Sequence, residues 1–240
     1  MTQRPFLAFA CAHLTDERLY VAQLAALSDR YDSRVFVFRD QDSLAGMAEE
    51  LLANTPGRFT LIGLSLGGYV AFEVIRRQLP RLERLALLDT TALSDQPARH
   101  AGRLADIAKV REGGIEALIP ELPGRWLLPA HAQRPDLVAL MGDMARSVGA
   151  RGQINQQTAM LGRPDSHRDL ERLAVPTLVM CGRQDPVTPV ADHQAMAARV
   201  PGARLEFIED CGHLSAIEQP EAVTRVLADW LDSTEPPENA

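Results

Sequence analysis

The sequence has 240 residues, of which 46% are hydrophobic, and carries a formal net charge of -7 at pH 7. This length and apolar content suffice for one sizeable core, and no run of Lys or Arg offers a binding site to a phosphate backbone or an anionic membrane. We therefore expect neither nucleic acid nor a membrane as a partner. Three cysteines, Cys11, Cys181 and Cys211, are too few for a disulfide framework, which favours a reducing, cytoplasmic setting.

Six short apolar runs bounded by Gly, Pro, Asp or Arg predict buried strands. The first run is too brief for a signal peptide and lacks a convincing small-residue cleavage site, so we interpret it as a strand. The runs are Phe6 to Ala10, Arg34 to Phe38, Phe59 to Leu64, Leu85 to Leu88, Thr177 to Met180 and Leu205 to Ile208. Helical spacing follows between several of them, at Glu17 to Leu27, Ser43 to Leu52, Tyr69 to Gln78, Val190 to Ala198 and Pro220 to Leu231. This alternation predicts an α/β fold, a mostly parallel sheet with helices on both faces.

One long interval interrupts the alternation, because Ser94 to Gly162 contains no clear strand. Its helical segments are predicted at Leu104 to Val110, Ile115 to Ile119 and Pro135 to Val148. We interpret it as a helical cap over the carboxyl ends of the strands, where open α/β folds bind ligands. Ordinary surface helices are the alternative. The predicted division is a core at 1–93 and 163–233, a cap at 94–162 and a polar, disordered tail at 234–240.

The strongest chemical pattern is Gly-Leu-Ser-Leu-Gly at residues 63–67, between a predicted strand and a predicted helix. A sharp strand-to-helix turn of this kind exposes a serine hydroxyl, and the flanking glycines permit the tight backbone. The helix that follows points its N–H groups towards a developing oxyanion. We therefore predict Ser65 as a nucleophile.

A serine nucleophile needs a base and an acid, and on this kind of sheet the chain order is Ser, then Asp or Glu, then His. Asp185 and His213 each follow a predicted strand, so both are expected at the same sheet edge as Ser65. Asp89, at the end of the run Leu85 to Leu88, is a competitor for the acid role. We predict Asp185 as the acid and His213 as the base.

Three segments, GLSLGG at 63–68, GRQDPVTP at 182–189 and CGHLSAIEQP at 211–220, resemble the nucleophile turn, acid loop and histidine loop of the α/β-hydrolase superfamily. The chain is most similar to the small capped esterases and related carbon-carbon bond hydrolases, such as the pimeloyl-carrier-protein methyl ester esterases. The resemblance implies the α/β-hydrolase fold, acyl transfer to Ser65, and hydrolysis of the acyl-enzyme by water that His213 activates. It implies no cofactor and no metal.

The sequence departs from this family pattern in two places. Family members carry His-Gly after the first core strand, whereas this chain has Cys-Ala-His at 11–13. When the sequence is aligned with the family on the following DERLY segment, the backbone amide of His13 takes one oxyanion position. The amide of Leu66, which follows Ser65, is expected to take the other. The family's Arg-Gly-His-Gly turn is replaced by RDQDS at 39–43, where we assign Asp42 and Ser43 to helix capping.

Two sets of residues in and near the insertion favour two different classes of substrate. Apolar residues of the insertion favour a small to medium carboxylic ester: Trp126, Leu127, Leu128, Leu137, Leu140 and Met141. Arg125, Arg151 and Arg163 are candidates for binding a substrate carboxylate, as a carbon-carbon bond hydrolase or enol-lactonase of acidic substrates would need.

Two readings of another class remain open on the residues alone. Cys11, His13, Cys211 and His213 offer four zinc-ligand atoms, but neither pair has the usual spacing of a metal knuckle. A non-catalytic ligand-binding module on the same fold is the other alternative, because fold does not determine function.

Overall fold

The computed structural model describes residues 4–234, and its centre is one sheet of six parallel strands in the spatial order β2-β1-β3-β4-β5-β6. The four inner strands are almost entirely buried, which explains their continuous apolar sequences. The strands are β1 (Phe6–Ala10), β2 (Asp32–Phe36), β3 (Phe59–Leu64), β4 (Leu82–Leu88), β5 (Thr177–Gly182) and β6 (Arg204–Ile208).

Helices connect the strands and cover both faces of the sheet. The α-helices are α1 (Val21–Leu27), α2 (Leu44–Ala53), α3 (Leu66–Gln78), α4 (Pro97–Gly113), α5 (Leu122–Trp126), α6 (Pro135–Leu161), α7 (His167–Leu170), α8 (Val190–Ala197), α9 (Ser215–Glu218) and α10 (Pro220–Ser233). Short 3-10 helices lie at Glu17–Tyr20, Leu79–Arg81, Ile115–Ala117, Ile119–Glu121 and His131–Gln133.

Two apolar clusters form the core, one on each face of the sheet. Alternate residues of a strand enter different clusters, so Leu7 and Phe9 join α1, α6 and α10, whereas Ala8 and Ala10 join α2, α3 and α8. The sheet is therefore buried on both faces, which confirms the predicted fold class.

All six predicted strands are present, but β2 begins and ends two residues earlier than predicted, at Asp32–Phe36. Its register pairs Phe6 with Asp32 and Ala10 with Phe36. Because β2 is an edge strand, it tolerates exposed polar residues at its start, and apolar content alone misplaced its boundaries. The predicted helix Glu17 to Leu27 is a 3-10 turn capped by Asp16, followed by α1. Ser43 caps α2 by accepting from the amide of Gly46.

The stretch between β4 and β5 is helical, as predicted, and its longest helix exceeds the predicted one. Helix α6 continues to Leu161, with a break in helical geometry at Gly149, where φ is 73°. A residue without a Cβ adopts this angle readily, so the chain resumes its helix after the break.

The predicted disordered tail falls mainly outside the described residues. Thr234 is described, and the Arg84 guanidinium donates to its carbonyl and hydroxyl oxygens. Within residues 4–234, no helix is long and apolar enough to cross a bilayer.

Candidate active site

The three predicted catalytic residues follow three parallel strands and therefore meet at one edge of the sheet. Ser65 comes directly after β3, Asp185 lies in the loop after β5, and His213 lies in the loop after β6. Parallel strands end on the same side, so the topology places all three side chains at the carboxyl edge.

Ser65 occupies a strained turn between β3 and α3, with φ 53° and ψ -105°. Its amide donates to the Leu88 carbonyl at 2.9 Å, and its own carbonyl accepts from the Thr90 hydroxyl at 2.9 Å. A Cβ at Gly67 would overlap the Ala10 carbonyl oxygen, so the turn also requires glycine there. These contacts hold the serine in a conformation that non-glycine residues rarely adopt.

The side chains of the three residues form a continuous hydrogen-bonded chain. His213 Nε2 lies 3.0 Å from Ser65 Oγ, and His213 Nδ1 lies 2.8 Å from Asp185 Oδ2. All three residues are buried, with Ser65 the most exposed at 7%. This arrangement allows proton transfer from the serine hydroxyl to an imidazole that is oriented by a carboxylate.

The surroundings keep Asp185 ionised and stabilise the protonated form of His213. Burial raises the pKa of Asp185, but His213 and hydrogen bonds from Thr188 outweigh it, so the net pKa is lowered. Burial lowers the pKa of His213, but the charge and hydrogen bond of Asp185 raise it further, and the net shift is upward. Thr188, which sequence reasoning missed, donates both its amide and its hydroxyl to Asp185.

Asp89, the competitor for the acid role, has different partners. Its carboxylate accepts from the Gly182 amide at 2.9 Å and from the amide and hydroxyl of Ser215. Burial, and then the nearby charge of Asp185, raises the pKa of Asp89 to about 8. Asp89 thus connects β4, β5 and the loop that carries His213, while Asp185 is the carboxylate bonded to the imidazole ring.

His13 lies beside Ser65 and His213 and lines the same cavity of about 60 Å³. Burial, followed by the charges of Arg103 and Arg125, lowers the pKa of His13 to about 3, so its ring is neutral. The rings of His13 and Trp126 form a T-shaped pair, with their centroids 5.6 Å apart. Leu66 is the first residue of α3, next to the predicted nucleophile. The oxyanion role of these two amides stays a prediction.

Two further residues fix the loops around the site, and no local motif identified them. Gln156 of α6 accepts from the Leu14 amide and donates to the Phe38 carbonyl, across 142 and 118 positions of sequence. The buried carboxylate of Glu218 accepts from the amides of Leu128 and Leu214. Except for the bond between Leu214 and Glu218, these contacts join residues 90 or more positions apart and leave no periodic pattern for sequence analysis to detect.

The arginines predicted as carboxylate ligands have other contacts. Arg125 lines an outer cavity but pairs with Asp106 and Glu121. Arg151 has an 80% exposed side chain beside Asp40, and Arg163 is buried with its guanidinium 4.0 Å from the Tyr69 ring. The cavity beside Ser65 is instead lined by Arg103 of α4, which the sequence did not single out.

The residues of the zinc alternative have separate roles. Across residues 4–234, no three His, Cys, Asp or Glu side chains are grouped so that they could hold a metal ion. His213 contacts Ser65 and Asp185, and the Cys11 thiol donates to the Asp16 carbonyl at 3.4 Å.

Comparison with known proteins identifies similar sequences and structures over most of the chain. A family model described as the alpha/beta hydrolase family matches residues 6–226. The 3-oxoadipate enol-lactonase 2 of Acinetobacter baylyi is 29% identical over 70% of this chain, and the match spans only 61% of that enzyme. The pimeloyl-[acyl-carrier protein] methyl ester esterase of Nitrosomonas europaea is 27% identical over 75% of this chain and 74% of its own length.

A solved structure gives the most extensive of these matches. The thermophilic esterase of Thermogutta terrifontis, solved with malate bound, superposes with a TM-score of 0.86 and 30% sequence identity. The match covers 96% of this chain and 90% of that protein. The agreement extends over both the sheet and the helical insertion.

Proposed function

This chain belongs to the α/β-hydrolase family, and on that premise we propose that it is a serine hydrolase that cleaves small to medium carboxylic esters through an acyl-enzyme on Ser65. The observation that carries the proposal is the chain from Ser65 Oγ to His213 to Asp185, with distances of 3.0 and 2.8 Å. Relatives named as esterases support an ester as the substrate.

The proposed reaction has two acyl-transfer steps. Ser65 Oγ attacks the carbonyl carbon while His213 Nε2 takes the hydroxyl proton, and the tetrahedral intermediate expels the alcohol, which takes that proton. A water molecule then attacks the acyl-enzyme, gives a proton to His213, and the acid leaves as Ser65 recovers its hydrogen. Asp185 orients the imidazole and stabilises its protonated form throughout. No step needs a cofactor.

The amides of His13 and Leu66 are the proposed oxyanion donors. Both adjoin the reacting serine, one by lining its cavity and the other by following it in sequence. The dipole at the start of α3 adds a favourable field for a negative oxygen.

The insertion at 94–162 is proposed to act as a cap on a core formed by 1–93 and 163–233. Arg103, Trp126 and Met160 come from the insertion and line the cavity together with Ser65. The insertion thus supplies one wall of the substrate site, which is how a cap selects substrates on a common catalytic edge.

The test is hydrolysis of p-nitrophenyl esters of increasing acyl length by the wild-type protein and by Ser65→Ala. Loss of a triad nucleophile lowers turnover by about 10⁶. Ser28→Ala, which removes an exposed hydroxyl that bonds only locally, is the matched control and is expected to retain full activity. A fluorophosphonate probe should label the wild type and the control but not Ser65→Ala.

A second candidate is a lactonase or carbon-carbon bond hydrolase of acidic substrates, favoured by the arginine beside Ser65 and by the name of the enol-lactonase relative. Fluorophosphonate labelling without any ester hydrolysis would support this candidate. Absence of both labelling and turnover would instead support a binding module.

We also infer the reducing, cytoplasmic setting that the composition favours. Cys11, Cys181 and Cys211 are all buried and unpaired, as expected of thiols that play no part in a disulfide framework.

A further inference from the structure

The cavity beside Ser65 is lined by a positively charged side chain, although the protein as a whole is acidic. Among residues 4–234, Arg103 is the only Lys or Arg that lines it, and no Asp or Glu does. Arg103 also lines an adjoining outer cavity of about 290 Å³, whose other charged lining residues are Arg99, Arg125 and Asp106. His13, Trp126 and Val187 also line both cavities, so the two spaces are neighbours on either side of shared side chains.

Arg103 is held in place by protein contacts that do not use its whole guanidinium. Nε donates to Asp95 Oδ1 at 3.1 Å, and Nη1 donates to Gln157 Oε1 at 2.9 Å. Within residues 4–234, the remaining nitrogen Nη2 has no hydrogen-bond partner. A guanidinium fixed at two nitrogens is pre-organised to bind a ligand through the third.

Arg103 shares its ion-pair partner with a second guanidinium. Asp95 is buried and is shared by Arg103 and Arg163, which lies 3.8 Å from the same carboxylate oxygen. Two guanidinium groups therefore face one carboxylate, and the side chains of Asp95 and Arg163 are each only 2% exposed. A buried excess of positive charge is costly unless an anion offsets it.

His13, which lines the same cavity, also has a polar atom without a partner among the described residues. His13 is only 8% exposed, and its Nε2 atom is buried without a hydrogen-bond partner in the described part of the chain. Because the ring is neutral, it can carry its proton on Nε2 and donate to an anion. Burial is the main cause of the lowered pKa of His13, and the charges of Arg103 and Arg125 lower it further.

We propose that Arg103 binds a carboxylate of the substrate, so that this enzyme acts on esters or lactones that carry a free carboxylate near the scissile carbonyl. Nη2 donates to the carboxylate, and the neutral ring of His13 lines the same cavity. This proposal rests on the proposed function, because a bound carboxylate affects turnover only if Ser65 is the nucleophile. Arg125 is not the anchor, because Asp106 and Glu121 already pair with it.

The closing experiment compares two methyl esters of nearly equal shape, monomethyl glutarate and its neutral amide analogue methyl 4-carbamoylbutanoate. The measured quantity is the ratio of kcat/KM, acid over amide, at constant ionic strength. A charge-assisted hydrogen bond predicts a wild-type ratio of about ten or more. Arg103→Gln should lower that ratio by about tenfold. Arg4→Gln, which removes an equal charge before β1, at the opposite edge of the sheet, should leave the ratio unchanged.

Arg103→Lys keeps the positive charge and provides a second test if Arg103→Gln does not fold. An ammonium lacks the guanidinium fork, so the ratio should fall by about threefold while the thermal midpoint stays near that of the wild type. A wild-type ratio of one or less, or a ratio that neither Arg103 variant changes, would overturn the proposal. An ester of a hydroxy acid, with the carboxylate on the alcohol side, shows which part of the substrate carries the anion.

Binding to the inactive Ser65→Ala variant separates this proposal from the proposed function. Calorimetry should detect monomethyl glutarate binding that weakens about tenfold in the double variant with Arg103→Gln. Binding of this kind without any ester hydrolysis or probe labelling would support the carboxylate site and contradict the serine hydrolase. Ester hydrolysis without an Arg103-dependent preference would contradict the carboxylate site alone.

Discussion

The backbone amide of His213 donates a hydrogen bond of 2.8 Å to the carbonyl oxygen of Trp126. The loop that carries the predicted base is thus attached directly to the helical insertion. Glu218 adds to this attachment, because its carboxylate accepts from the Leu128 amide at 2.8 Å and from the Leu214 amide at 3.1 Å, and lies 2.8 Å from His131 Nδ1. The position of the base therefore depends on the insertion.

Glu218→Ala is expected to lower both stability and turnover. Removing the buried carboxylate leaves the half-buried Leu128 amide, the buried Leu214 amide and His131 without their acceptor, at a cost of about 3 kcal/mol in the free energy of unfolding. Turnover should fall because the His213 loop loses its anchor. Urea denaturation and kcat measurements check this, with the exposed Glu209→Ala, paired only with Arg183, as the control. Equal stability of the two variants would contradict the structural role.

Asp185→Asn is expected to lower kcat by about 10⁴ because the imidazole loses its orienting carboxylate. His213 must be neutral to accept the serine proton, so activity is lost as pH falls through its raised pKa. Without the charge of Asp185, the acid limb of kcat/KM should move to lower pH. A pH-rate profile measures this, and the exposed Asp29→Asn provides the control. An unshifted limb would mean that another carboxylate, such as Asp89, sets the pKa of His213.

Asp89→Asn is expected to change the pH dependence of stability. The pKa of Asp89 is about 8 in the folded protein, against about 3.9 for an unfolded aspartate. The folded state therefore retains a proton that the unfolded state loses, so this stabilisation is complete below about pH 4 and is lost as pH rises through about 8. Asparagine stays neutral throughout.

The measurement for Asp89 is the difference in thermal midpoint between Asp89→Asn and wild type at about pH 5, 7 and 9. As pH rises, the thermal midpoint of Asp89→Asn should increase relative to that of the wild type. This direction is expected whether the variant is more or less stable than the wild type at about pH 5. A difference that stays constant over this range would show that Asp89 is ionised in the folded protein throughout.

Gly67→Ala is expected to destabilise the protein by about 3 kcal/mol, because the new methyl group would overlap the Ala10 carbonyl and force β1 and α3 apart. Activity should also fall, since the same shift moves Ser65 away from His213. The control is Gly57→Ala, where a methyl group meets nothing within 4 Å. Chemical denaturation compares the two variants, and similar unfolding midpoints would contradict the close approach.

Sequence reasoning was sufficient for features that leave a local signal. The inner strands are buried on both faces and so appear as apolar runs, and Gly63 and Gly67 are required where the chain turns sharply at Ser65. Asp185 and His213 follow from chain order once the parallel sheet is inferred. The start of β2 was misplaced because its first residues are exposed.

The residues that complete the site could not be predicted in this way. Arg103 lies on a helix of mixed composition, and only its packing against Met160 and Gln157 brings it to the Ser65 cavity. Glu218 acts on Leu128 across 90 positions of sequence. Such roles arise from tertiary packing of the insertion against the core, which has no fixed spacing in the sequence.

The backbone angle of Ser65 links activity to a loss of stability. Holding a non-glycine residue at φ 53° costs about 1 to 3 kcal/mol, and glycine at this position would remove most of that cost together with the nucleophile. Laboratory selection for thermal stability alone would therefore enrich inactive variants, because Ser65→Gly, which relaxes this turn, also removes the proposed nucleophile. Screens for hardier variants of this chain need to retain an activity criterion at every round.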